Sequence, residues 1–368
     1  MSHSSLQTAF SRDPDITAAV ADLRRQLTGA DGMLCCFASP AYAPEALARE
    51  LHRAFPGVVT IGCTSAGEIV GGHMLKGAIV AISLPESVVG RPAVQLVDLS
   101  GGAPLTDALA RLGAPFGEPL ADMDVGRYLG LVLVDGLSGA EEKLMESLGD
   151  ATNVIFVGGA AGDDLKFERT VVFAEGHAAS NAAVLVLCRP QAPFEVLKTQ
   201  SFDILPNKLT VTAVDPTGRR VVSFDGKPAA SAYAEAVGVD VTTIQDEFMH
   251  HPLGLVIGGE PFVRSPRASE DGALHFYCRL EEGMELSLLQ TRDIVTDTGA
   301  LLRAAEARGP IRGLINFHCI LRTLELESKA QMQAYADIFR DVPTVGFSTY
   351  GEEYIGHINQ TSTMVLFR

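Results

Sequence analysis

Short apolar runs alternate along the chain with stretches of helical period, and the alternation recurs in one order. The first unit begins with the apolar run Met33 to Phe37 and passes through a helix-like segment from Ala43 to Phe55. It then reaches VVTIGCTSAGEI at 58–69 and closes on GAIVAISL at 77–84. The second begins with LGLVLVDG at 129–136, predicts a helix from Ser138 to Leu148, reaches NVIFVGGAAGDDL at 153–165 and closes on AAVLVLC at 182–188. The third begins with GLINFHCI at 313–320, predicts a helix from Ser328 to Arg340, reaches VPTVGFSTYGEEY at 342–354 and closes on STMVLF at 362–367. Self-similarity at this scale is settled before any motif is read, and each copy reads β-α-β-loop-β. The apolar runs are short and do not alternate cleanly, which suits strands buried on both faces of a layered sheet.

Local signals place the helices. Ser138 with Glu141, and Ser328 with Gln331, have capping-box spacing, and Leu144, Leu148, Met332, Tyr335 and Phe339 supply apolar faces. Ahead of the first unit, Asp13 reads as an N-cap with Pro14 in the first turn. Ile16, Val20, Leu23 and Leu27 form the stripe of that helix, and Gly29 ends it.

Residues 189–290 change character. Short strand-like segments at 195–202, 209–214, 220–224 and 274–279 are separated by DPTG, DGKP and ASEDG turns, with helices predicted at 228–237 and 293–308. The fold class expected is α/β: layered mixed sheets built from three pseudo-repeated β-α-β-β units, with a β-rich segment between the second and third. A division between 189 and 228 is expected, drawn as domains 1–222 and 223–368.

Composition narrows the function. Of 368 residues, 47% are hydrophobic and 20% charged, enough apolar material for about two domains. The formal charge of −16 and the lack of a basic run give no footprint for nucleic acid or an anionic membrane surface. No charge-free apolar stretch reaches the ~18 to 20 residues that span a bilayer, and the N-terminal MSHSSLQTAFSRD has no signal-peptide character. A cytoplasmic protein is expected. The six cysteines, Cys35, Cys36, Cys63, Cys188, Cys278 and Cys319, show no CxxC spacing and read as buried free thiols.

The loops carry the candidate chemistry. Gly62 to Gly67 and Gly346 to Gly351 have the glycine spacing of a phosphate-binding loop. The residues that follow are Glu68-Ile69 and Glu352-Glu353, with Asp163-Asp164 in the second unit, where a phosphate loop needs Lys and Ser or Thr. Carboxylates there repel phosphate, and no G-x-G-x-x-G follows a strand. Either these acids cap backbone amides of tight turns, or the three loops share a ligand pocket that includes Thr64 and Ser65. His73 follows Gly62 at the spacing at which His357 follows Gly346, and the matching place in the second unit is Glu168 or Arg169. Neutral imidazoles at equivalent sites are candidate ligands for haem iron or another transition metal, if not structural. Cys319 and Cys63 are candidate nucleophiles, but His318, adjacent on a strand, points to the opposite face from Cys319. Asn316, Arg322, Glu325, Asn359 and Gln360 are polar residues in apolar settings, and Arg264 is a candidate anion-binding guanidinium. These groups either line a pocket or satisfy one another as a buried network.

IGCTSAGEI, VGGAAGDDLKF, INFHCILRTLE and VGFSTYGEEYIGHINQTSTMVLF together resemble the signatures of FIST-domain proteins, a FIST N region followed by a FIST C region. The resemblance runs over nearly the whole chain after about residue 30. It implies a sensory module in bacterial signal transduction that binds a small ligand. One branch comprises stand-alone nitric-oxide-sensing haem proteins that regulate a partner histidine kinase or cyclic-di-GMP enzyme. The closing GEEYIGHINQTSTMV is similar to the family's GEQ…H-x-NQT pattern, with Glu353 where Gln is commoner. On this resemblance His357 is the first candidate haem ligand and His73 the second. The chain has no CxxCH attachment motif, so haem b would be held non-covalently. The competing class is an enzyme with a cysteine nucleophile acting on an acyl or amino-acid-like substrate. A third reading makes the loops purely structural.

Overall fold

A computed structural model describes residues 6–100 and 105–368; the first five residues of the polar N-terminal stretch lie outside it. The chain forms two compact units. One comprises residues 1–199, 298–357 and 362–368, and the other residues 200–297 and 358–361.

The larger unit is α/β and holds three mixed sheets. In the first, Met33–Ala38 lies parallel to Val59–Thr64 and antiparallel to Ile79–Leu84, which in turn pairs with Gln7–Ser11. In the second, Leu129–Val134 lies parallel to Phe156–Ala160 and antiparallel to Ala182–Cys188, with Ala93–Asp98 outside it. In the third, Gly313–Cys319 lies parallel to Thr344–Thr349 and antiparallel to Ser362–Phe367, followed by Phe194–Thr199. Every residue of the three central strands is buried, which is why their sequences do not alternate.

The chain does not close each sheet locally. After its loop, Glu68–Val70 with His73–Leu75 pairs onto Thr344–Thr349 of the third sheet. Val172–Ala174 with His177–Ala179 pairs onto Val59–Thr64 of the first, and Glu352–Tyr354 pairs onto Phe156–Ala160 of the second. The three loops therefore cross where the sheets exchange strands.

Inward-facing side chains of all three sheets, among them Phe37, Leu131, Phe317, Phe347 and Val365, form one core. The opposite faces are covered by helices. Leu34, Cys36 and Ala38 pack with Leu23, Leu47 and Leu51 of helices Ile16–Gln26 and Pro44–Ala54. Val132 and Val134 pack with Leu109, Leu112, Leu144 and Leu148 of helices Thr106–Gly113 and Glu141–Ala151. On the third sheet the corresponding positions are the polar Asn316 and His318, against helices Ile320–Ser328 and Met332–Asp337.

Several helix boundaries differ from expectation. Asp15, not Asp13, caps the first helix, accepting from the Ala18 amide at 2.9 Å. Ser138 is no cap: its hydroxyl donates to the Asp135 carbonyl, and the helix begins at Glu141 without a side-chain cap. Within the expected Ser328–Arg340 helix only Met332–Asp337 is helical: Ser328 ends a preceding helix, Ile320–Ser328, and Ala330 takes a left-handed φ of 54° between the two.

The smaller unit is an antiparallel sheet of strands from 202 to 291, built on hairpins such as Leu253–Ile257 with Glu260–Arg264 and Pro266–Glu270 with Ala273–Phe276. Helix Ala229–Val237 packs on it through Ala229, Ala230 and Tyr233, against Leu209, Val221, Phe224, Leu274 and Leu286.

Candidate functional site

The loops that follow the parallel strands meet inside the larger unit, and they meet by backbone hydrogen bonds. The Ala66 amide donates to the Ser348 carbonyl at 3.1 Å and the Ser348 amide to that of Gly67 at 2.7 Å. The Gly162 amide donates to the Thr64 carbonyl at 3.0 Å, and Ala160 exchanges bonds with Tyr350 and Gly351. Glycine is required where the strands enter this junction: a Cβ on Gly62 would lie 1.9 Å from the Cys36 carbonyl oxygen, and one on Gly346 2.1 Å from that of Asn316.

The acidic residues that recur in the loops are engaged inside the protein. Glu68 accepts from the Ser65 hydroxyl at 2.5 Å and the Ala78 amide at 3.0 Å; Glu352 accepts from the Thr349 hydroxyl at 2.5 Å. Burial raises the Glu68 carboxyl to about 7, against the opposing effect of its two donors. Asp163 accepts from the amides of Phe167, Glu168 and Arg169 and from the Tyr350 hydroxyl. Burial alone would raise its pKa, but these donors outweigh it and hold the carboxyl below its usual range. Thr64 and Asp163 border a cavity of about 150 Å³ with Pro40, Lys166, Glu168 and Arg169. A cleft of about 800 Å³ beside Leu109, Ala110, Leu120 and Ala151 is lined by none of the sequence-predicted residues.

The two histidines sit in different surroundings. His73 is exposed on the outermost strand of the third sheet, its ring 6.3 Å from that of Phe10. His357 is buried, its Nδ1 2.9 Å from Glu353 Oε1, and its ring covers Gly351 so closely that a Cβ there would lie 2.1 Å from Cε1. Cys63 is buried, and burial followed by the neighbouring Cys36 and Cys35 thiols pushes its pKa well up, the reverse of an activated nucleophile. Cys319 is buried as well.

In the smaller unit, Gln360 and Asn359 tie the 358–361 segment into the fold. Gln360 accepts from the Ser265 hydroxyl at 2.6 Å and donates to the Met249 carbonyl at 2.9 Å. The Asn359 carbonyl accepts from the Cys278 thiol at 2.7 Å. Arg264 is half-buried, with Nη1 3.2 Å from the Val263 carbonyl.

Asn316 and Arg322 belong to a polar cluster on the helix-facing side of the third sheet. The Ser362 hydroxyl donates to Asn316 Oδ1 at 2.6 Å, Asn316 Nδ2 donates to the Tyr335 hydroxyl at 3.2 Å, and Tyr335 lies 2.9 Å from His318 Nδ1. Arg322 is 2% exposed, and its Nη2 donates to Thr298 at 3.0 Å. His318, Tyr335 and Thr298 were not among the sequence candidates for ligand binding. Adjacency to Cys319 and an apolar helical stripe explained the first two, and nothing local marks Thr298.

Comparison with known proteins gives two findings. The FIST N domain model matches residues 32–227 and the FIST C domain model residues 229–354. An uncharacterized protein of Methanocaldococcus jannaschii is 22% identical over 273 residues, covering 68% of this chain and 52% of its own length. The chain thus spans about half the length of the curated relative it matches.

Proposed function

The chain belongs to the FIST family, whose domains are associated with small-ligand sensing in signal transduction, and from that premise we propose that it is a small-ligand sensory protein with no chemical step of its own. The observation that carries the reading is the use made of reactive groups at the loop junction. Its carboxylates are engaged by internal donors, and the Cys63 thiol is buried with a raised pKa. A ligand that favours one arrangement of the crossed loops over another would change the surface offered to a partner histidine kinase or cyclic-di-GMP enzyme. Native mass spectrometry of gently purified protein should show a mass excess that denaturation removes. A bare mass, together with iodoacetamide labelling of Cys63 or Cys319 within minutes under native conditions, would overturn this in favour of thiol chemistry.

One observation favours a finer reading, haem-based nitric oxide sensing. A carboxylate on Nδ1 is the usual support behind a metal-ligating histidine, and Glu353 takes that place on His357. His357 would hold haem b at the iron, where the group supplies a nitric-oxide-binding metal. Exposed His73, on another sheet, has no such support. Haem titration should give a Soret band that nitric oxide shifts and His357→Ala abolishes; a band unaffected by that substitution would remove His357 from the role.

A further inference from the structure

The polar cluster on the third sheet has donors without acceptors, and their direction can be followed through the network. Tyr335 receives a hydrogen bond from Asn316, and its own proton is free to be donated to His318 Nδ1, 2.9 Å away. With that donation, His318 accepts at Nδ1 and carries its proton on Nε2. Burial, and then the charge of Arg322, hold its pKa well below the usual value, so the ring is neutral. Among the described residues Nε2 has no partner. Two of the three guanidinium nitrogens of Arg322, Nε and Nη1, also have none among the described residues. The guanidinium is close enough to act electrostatically on the imidazole, and both residues are at least 98% buried. Glu325, the acid one turn along the same helix, is paired with Lys329 at 2.6 Å. A buried cation with unused donors is costly unless an anion completes it.

We propose that Arg322 and His318 form the head-group site for a small organic acid, the guanidinium and the imidazole Nε2–H donating to one carboxylate. The charge count selects the class. One guanidinium beside a neutral imidazole matches a monoanion, whereas a phosphate dianion would leave a buried charge uncompensated. The unpartnered donors need an acceptor, and a carboxylate offers about four lone-pair positions and no donor of its own. Asn316, Tyr335 and Ser362 are positioning residues, since they fix the imidazole tautomer. This inference rests on the small-ligand reading and names its ligand class.

The test uses dialysed full-length protein and follows thermal unfolding with sodium acetate, sodium chloride at equal ionic strength, or inorganic phosphate. Acetate should raise the midpoint in a saturable way that chloride does not reproduce. Arg322→Met should abolish the response. Arg322→Lys, which keeps the charge and loses the planar donors, should weaken acetate roughly tenfold, as should His318→Phe, while His318→Gln keeps an N–H donor and most of the affinity. A larger response to phosphate, or an acetate response that survives in Arg322→Met, overturns the assignment. If acetate does nothing but native mass spectrometry finds a neutral or cationic molecule, the carboxylate assignment fails and the sensory reading stands. A protein that is bare and indifferent to all three salts defeats both.

Discussion

The helix-facing sides of the first and third sheets are built to the same plan and filled with opposite chemistry. On the first, Leu34, Cys36 and Ala38 meet Leu23, Leu47 and Leu51, and the layer is an ordinary apolar core. On the third, Asn316 and His318 meet Tyr335, with Arg322 on the same helical layer, equally buried and incompletely hydrogen-bonded. A layer that only had to hold a helix onto a sheet would be filled as the first one is, because apolar packing stabilises and unpaired buried donors do not. The difference separates a structural layer from one arranged to receive something.

The largest effect belongs to the apolar layer. Leu51→Ala should lower unfolding free energy by roughly 2–5 kcal/mol, read from urea denaturation, because Leu51 is fully buried and the cavity left cannot fully collapse. A loss below ~1 kcal/mol would mean that this layer does not hold the sheet and its helices together as a close-packed apolar core.

Next comes a pH experiment that sets the two regions against each other. Glu68 follows the second strand of the first sheet, and its folded pKa of about 7 lies above the ordinary carboxylate value, so its stabilising contribution is full at low pH and is lost as pH rises towards 7. His318 behaves oppositely: its folded pKa is depressed, so its contribution is full above ~6.5 and falls as pH drops below that. Between pH 5 and 6.5 the two slopes oppose, that of Glu68 being on the order of 1.4 kcal/mol per pH unit. Removing one should unmask the other. Glu68→Gln should lose stability as pH falls from 6.5 to 5, and His318→Gln should lose about 2 kcal/mol from pH 5 to 6.5, relative to the parent chain. Parallel profiles for both variants would show that neither group titrates as its surroundings require.

A smaller change probes the network. Tyr335→Phe removes the hydroxyl that links Asn316 to His318, leaving a buried amide donor and an imidazole acceptor unpaired, and should cost about 1–3 kcal/mol in urea denaturation. The measurement that sharpens the comparison is the ring itself. In the parent chain 15N chemical shifts should show His318 protonated at Nε2, and in Tyr335→Phe that single tautomer should be lost. A pure Nε2–H tautomer in the variant would mean the network does not set it.

Much of this arrangement is legible in the sequence, and the boundary has physical causes. The strands 182–188, 220–224 and 362–367 are read to the residue, and the unbroken burial of the first and last explains their missing alternation. The crossed hairpins are not legible, because a strand's partner on another sheet leaves no local mark. Helix Ile320–Ser328 escapes for a different reason. It follows the strand ending at Cys319 with no side-chain cap, so the apolar run shows no break between them. Of the candidate residues, Glu68, Asp163 and Glu352 stand out because turn geometry needs an acceptor there, and Asn359 and Gln360 because they anchor a short segment. Arg322 stands out with no such use. Polarity in an apolar run marks both kinds of residue alike, and only the count of satisfied donors distinguishes them.

The smallest expected effect is the most discriminating. Replacing a buried arginine normally costs several kcal/mol, because a partner charge is left behind. Arg322 has a hydroxyl, Thr298, on one nitrogen and no acceptor on the other two. Without ligand, Arg322→Met removes the desolvation cost of a cation and leaves one hydroxyl to reorient, while methionine fills much of the same volume. Urea denaturation of dialysed protein should therefore place Arg322→Met within about 1 kcal/mol of the parent chain, or above it. The comparison with the apolar layer breaks if the variant loses as much as Leu51→Ala, for the guanidinium would then hold the third sheet together as leucines hold the first.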